Sequence, residues 1–284
     1  MYKIMIGIIT SGILLSANTS INISQGEKDY TNSKKKIDGK TSSINISHKY
    51  KNGDILLGYL KDDVSLITNP KGDLDVKKYN VKYQHNIIPK LNIKASYIKI
   101  IDNQAPTDQG KVYGIGTDYK ITKGVGVKLE YYKSDYKPFN VNQYDLSIYK
   151  GFKLNNLKAK FTIGSKVIKI DGDTYNPDMP IAKQYNFKDK SYNPIFVKMG
   201  LNYQGFTAGI GAFFGKRMFT VLDGGTKVQH HAMQQDKTYM LKLAKSFQNI
   251  QVGLKYSFQN GDELPENQKD VDTKVTSLFL QYKF

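Results

Sequence analysis

The last eight residues, Ser277 to Phe284 (SLFLQYKF), alternate strictly. Leu278, Leu280, Tyr282 and Phe284 are apolar or aromatic, and Ser277, Phe279, Gln281 and Lys283 stand between them. A period of two sustained over this length describes a β-strand whose two faces meet different surroundings. The segment suits either the closing strand of a barrel or the last strand of a soluble sandwich. The rest of the chain has to separate the two.

About fourteen segments of alternating pattern follow the N-terminal region, with no convincing amphipathic helix among them. The connections sort by length. Short ones fall at Lys51–Asp54, Asn86–Lys90, Thr122–Gly124, Lys153–Asn156, Tyr203–Gly205 and Ser246–Asn249. They alternate with longer polar ones near Glu27–Gly39, Lys61–Asp73, Asp102–Gln109, Lys133–Asn140, Ile170–Tyr192, Lys216–Gln235 and Asn260–Val271. Crossing connections in a sandwich have no reason to sort this way, whereas an up-and-down barrel has tight turns at one rim and extended loops at the other. The expectation is an all-β fold: a closed antiparallel up-and-down transmembrane β-barrel of about 14 strands, in the outer membrane of a Gram-negative-type bacterium.

Met1 to Ala17 places Lys3 before an uncharged apolar run that is too short to span a bilayer as a helix. We therefore expect a signal peptide over residues 1–17 and one barrel domain over 18–284. The mean hydropathy of −0.49 is compatible with a barrel, because only alternate residues face lipid. Cysteine is absent, so disulfides and thiolate chemistry are excluded. Tryptophan is absent too, which leaves 21 Tyr and 13 Phe to build any aromatic belt.

Parity assigns the faces. Val125, Val127, Leu129 and Tyr131 form one expected lipid-facing set. Others are Leu157 to Ile163, Phe206 to Phe214 and Ile250 to Phe258, taken at alternate positions. Strand three is ambiguous, since Leu56 and Leu60 compete with Ile55, Leu57 and Tyr59 for the lipid side. Aromatics cluster near strand ends, as two headgroup-level girdles require. The opposite parity is charged, small and glycine-rich, which points to a wet interior. Lys82, Lys94, Lys128, Lys160, Lys198, Lys242 and Lys255 lie about four to six residues above the short turns, near mid-depth for a strand rising about 3.3 Å per residue with a tilt of about 40°. They form an expected basic belt. Asp118, Glu130 and Asp145 fall on three consecutive strands, so they suggest an acidic arc and a transverse field.

Catalytic chemistry finds little support. The four histidines are His48, His85, His230 and His231, and none is set beside a convincing nucleophile or activating carboxylate. No catalytic residue, metal site or cofactor is expected. The fifth and sixth long loops are expected to gate the mouth, with His230 and His231 making closure pH-dependent.

In architecture the chain resembles the monomeric OmpG-type porins: strand number, loop alternation, length after signal removal, and no plug domain. Its basic lumen is similar to that of the acidic-oligosaccharide porins. The C-terminal strand, with Leu278, Leu280, Tyr282 and Phe284, resembles the signal read by the barrel-assembly machinery. The resemblance implies passive diffusion of small hydrophilic solutes, with the lysines favouring anions, acidic sugars among them. The implied partners are outer-membrane lipid and lipopolysaccharide, the assembly machinery and small anionic or neutral solutes, with no nucleic acid. The readings from other classes are a barrel enzyme of protease or lipase type, or a surface adhesin.

Overall fold

The computed structural model describes residues 17–67, 72–103, 107–137, 139–171, 190–229, 233–264 and 268–284. The expected signal peptide, save Ala17, lies outside them, and so do residues 172–189 of the fifth long loop, His230 and His231.

In chain order the strands are β1 (Thr19–Thr31), β2 (Lys36–Tyr50), β3 (Gly53–Leu66), β4 (Leu74–Ile88), β5 (Leu91–Asp102), β6 (Lys111–Thr122), β7 (Val125–Asp135), β8 (Asn140–Leu154) and β9 (Leu157–Asp171). Then come β10 (Lys190–Tyr192), β11 (Ile195–Tyr203), β12 (Phe206–Arg217), β13 (Val221–Leu222), β14 (Lys227–Val228), β15 (Met233–Phe247), β16 (Ile250–Glu263) and β17 (Gln268–Lys283). Each long strand pairs antiparallel with its sequence neighbours, and β17 pairs with β1, so the sheet closes. β10 continues the line of β11 along β9 beyond an interruption at Asn193–Pro194. Fourteen wall strands result, as the loop alternation implied.

The turns explain the short rim. Gln204 (φ 48°) and Gly205 (φ 80°) are both left-handed, the backbone that two-residue hairpins need to match strand twist. At the seam the Phe284 N–H donates to the Thr19 carbonyl at 3.0 Å, and Tyr282 pairs with Ile21. The terminal aromatic therefore closes the barrel beside Thr19, at the start of β1.

The outer surface carries the apolar face. Leu129, Ile115, Phe161, Ile163, Ile210, Leu243 and Leu278 are all exposed, which in water would be a large unfavourable area and in lipid is the required wall. On β3 the outward set is Ile55, Leu57 and Tyr59: Ile55 and Leu57 are exposed, while Leu56 lies opposite the inward Lys82. Tyr59–Tyr79, Tyr97–Tyr113 and Tyr131–Tyr144 make cross-strand ring pairs with centroids 5.0–5.4 Å apart. They build the girdle on the long-loop side; Tyr83, Tyr119, Phe152 and Phe247 lie exposed toward the short turns.

Two expectations need correction. The long connections are shorter than the sequence suggested, because strands run on into them: β1 continues to Thr31 and β2 starts at Lys36. The interior, moreover, is wet only in part. Above the membrane band the inward positions turn apolar. Val64, Val76, Ile98, Ile100, Ile168 and Ile170 are at most 1% exposed and pack with Tyr132, Tyr136 and Phe139. Burial there pushes the Tyr136 phenol above its ordinary range. Strands standing above lipid have water outside, so their apolar side turns inward as in a small soluble barrel.

Candidate functional site

A row of directly paired residues climbs around a tilted barrel by roughly one residue height per strand. One such row reads Lys160, Gly200, Gly209, Lys242, Lys255, Ser277, Gly26, Thr41, Asp62 and Val76. All ten share the inward face. With the climb included, Lys82, Lys94, Lys128, Lys198, Lys242 and Lys255 fall within about two residue steps of one height, on the order of 5 Å, and Lys160 lies lower. The register therefore brings the seven sequence-predicted lysines into one inward zone on the short-turn half of the bore.

The acids fall on the consecutive strands β6, β7 and β8, and each is the ion-pair partner of a lysine. Glu130 pairs with Lys94 across Gly116. Asp118 lies 3.5 Å from Lys128 and accepts a 2.8 Å bond from the Tyr149 hydroxyl. Asp145 pairs with Lys166, higher on β9. Among the described residues Lys82, Lys160, Lys242 and Lys255 have no such carboxylate. Lys160 lies over the Tyr149 ring at 3.9 Å, and Lys242 and Lys255 lie over Phe279 at 4.9 and 4.7 Å. Such contacts orient an ammonium but leave its charge uncompensated. Glycine makes the rings fit: a Cβ on Gly253 would come within 2.5 Å of Phe279, and one on Gly164 within 2.5 Å of Phe196. The aromatics therefore lie flat on the wall.

The residues that parity analysis missed belong to the sixth long loop. After Arg217 the chain turns into the bore. Met218, Phe219, Val221 and Val228 join the outer apolar tier, each at most 4% exposed, and β13 pairs with β14. Gln143 holds this hairpin by its backbone: its Oε1 accepts the Val221 N–H at 2.8 Å, and its Nε2 donates to the Val221 carbonyl at 2.9 Å. Lys166 donates to the same carbonyl at 3.1 Å. The tip reaches the belt. A Cβ on Gly224 would lie 3.4 Å from the Lys82 ammonium, and Asp223 is 3.5 Å from Lys198. Arg217, the one arginine of the chain, is buried over Phe213 and bonded to Gln235 and Thr238 at the root of the loop.

The lumen is thus a lysine-lined chamber below and a packed tier above, joined by the hairpin. The two histidines among the described residues, His48 and His85, stand apart from it. His48 bonds to Thr19, and His85 forms a cluster of near-parallel rings with Tyr50 and Tyr83 near the short-turn rim, their centroids 6.0–6.2 Å apart. Among the described residues no group of three or more His, Cys, Asp or Glu could hold a metal ion.

No known family profile and no curated protein matches the chain. Solved structures do. Outer membrane protein Omp33 of Acinetobacter baumannii aligns with 11% identity and a TM-score of 0.51, over 94% of this chain and 99% of that one. A bacterial polysaccharide outer membrane secretin aligns at 9% and 0.56, over 94% and 99%. The CymD monoaromatic hydrocarbon channel aligns at 9% and 0.57, over 95% and 89%. At such identities the likeness is one of fold, and that fold is the Gram-negative outer-membrane β-barrel.

Proposed function

We propose that the chain is an outer-membrane porin for passive diffusion of small hydrophilic solutes, with a preference for anions and acidic sugars among them. The observation that supports it is the uncompensated charge of Lys82, Lys160, Lys242 and Lys255 on the inward face of a lipid-embedded wall. Ammonium groups in a low-dielectric wall raise the local anion concentration and disfavour cations. The packed outer tier adds a condition: solute passes when the hairpin leaves the bore, so the sixth loop is the gate.

Reversal potential in a salt gradient across a planar bilayer tests this reading. The expected channel is anion-selective, and the selectivity falls as the screening length shrinks from about 10 Å at 0.1 M to about 3 Å at 1 M. Substituting Lys160, Lys242 and Lys255 by Glu should invert the potential, whereas Lys34→Glu in the first long loop should change it little. A neutral or cation-selective wild-type channel would remove the anion preference. A barrel that inserts but never conducts would remove the porin.

A further inference from the structure

The hairpin carries its own carboxylate to the belt. Asp223 lies 3.5 Å from Lys198 on the wall and 3.2 Å from Lys227 on the hairpin. Resting on the reading of the bore as an anion pathway, we propose that Lys198, with Lys82 facing it from the opposite wall, forms a carboxylate-binding site for acidic solutes. Asp223 occupies that site until a solute carboxylate displaces it.

The tip is built to present this group. Asp223 (φ 51°), Gly224 (φ 66°) and Gly225 (φ 84°) are consecutively left-handed, a run that glycine allows and Asp tolerates better than most residues. The Gly225 N–H donates to the Leu222 carbonyl at 3.1 Å, and the Thr226 hydroxyl to the Asp223 carbonyl at 3.1 Å. The turn is therefore set by its own backbone, and the Asp223 side chain is left to reach the wall.

The two lysines differ in what happens when the hairpin departs. Lys227 sits four residues from Asp223 on the same hairpin and leaves with it, so the carboxylate keeps a counter-charge. Lys198 stays on β11 and loses its partner. A solute carboxylate at Lys198 cancels that loss, which couples solute binding to opening. The side chains of Lys198 and Asp223 are 37% and 47% exposed, so a solute in the chamber reaches them. An exposed pair of this kind is weak enough to exchange.

The chain has no cysteine, so Leu222→Cys gives a single attachment point for a nitroxide. The label's mobility in proteoliposomes is recorded while sodium glucuronate is raised at constant ionic strength made up with sodium chloride. Mobility should rise with glucuronate and not with chloride. A tethered ligand competes at an effective concentration on the order of millimolar or above, so Asp223→Asn should lower the half-effective glucuronate concentration by about tenfold or more. Lys198→Gln should abolish the response. Equal release by chloride, or an unchanged titration in Asp223→Asn, would overturn the proposal. Glucuronate flux measured on the same vesicles separates the two readings. Flux without a label response refutes the site alone, and a label response without flux refutes the porin alone.

Discussion

Gln143→Leu is the sharpest single perturbation of the gate. Gln143 is 1% exposed, and so is Val221. Leu has nearly the same length and fills the same space, but it withdraws the acceptor of the Val221 N–H and a donor to the Val221 carbonyl. The carbonyl keeps Lys166. Asp145 loses the 2.9 Å bond from Gln143 Nε2 and also keeps Lys166. The group left without a partner is the buried Val221 N–H, at a cost of about 1–3 kcal/mol. That cost falls only on the docked state, because water satisfies the N–H once the hairpin is out. At about 1.4 kcal/mol per factor of ten, the undocked-to-docked ratio should rise by roughly 5- to 150-fold. Single-channel recording reads this as longer open times or more frequent openings. Unchanged heat-modifiable gel migration checks that the barrel itself is intact. An intact barrel with wild-type closed times would refute both the hairpin as gate and Gln143 as its anchor.

Two further outcomes follow from buried charge and from the seam. Glu263 is 1% exposed and lies 2.7 Å from Lys36, itself 8% exposed, with Ser33 donating at 2.8 Å. Glu263→Gln strands the Lys36 ammonium and should destabilise the outer tier by about 3–5 kcal/mol. Melting followed by heat-modifiable migration would show it, and the Lys36→Met/Glu263→Met pair should recover most of the loss. Removing Phe284 deletes the rung to Thr19 and the ring packed at 4.8 Å on Tyr282. It should reduce assembly yield far more than the conductance of the molecules that do insert; normal insertion would count against the C-terminal strand as an assembly signal.

The membrane half of this fold was legible because one rule governs it. Apolar residues face lipid, so a period of two fixed the face of Val125 to Tyr131 or Phe206 to Phe214 without knowledge of any contact. The same period continues above the bilayer with its sign reversed, and there the rule misled. On β9 the outward series Leu157, Ala159, Phe161, Ile163 gives way to Ser165, Val167 and Lys169. The inward series Lys158, Lys160, Thr162, Gly164 gives way to Lys166, Ile168 and Ile170. On β4, Asp75 and Lys77 point out while Leu74 and Val76 point in. The swap is written in the sequence, but it reads as the start of a loop to anyone expecting the exterior to stay apolar.

What periodicity could not supply was partnership. β13 and β14 are two residues each, too short to carry a period, and the Gln143–Val221 contact spans 78 positions. The lysine zone shows the same limit at closer range. Parity turns Lys94 and Glu130 inward, yet they lie on β5 and β7, with β6 between. They meet because Gly116 stands opposite both. A Cβ at 116 would fall 2.9 Å from the Lys94 side chain and 3.0 Å from that of Glu130. One missing methyl group thus lets an ion pair form over a strand and withdraws Lys94 from the free charge of the belt. Counting inward lysines therefore overstates the field. The charge available to a solute is set by which lysines have a carboxylate within reach once three strands are in register, and that is why Lys160, Lys242 and Lys255, seated on aromatic rings, carry the selectivity test.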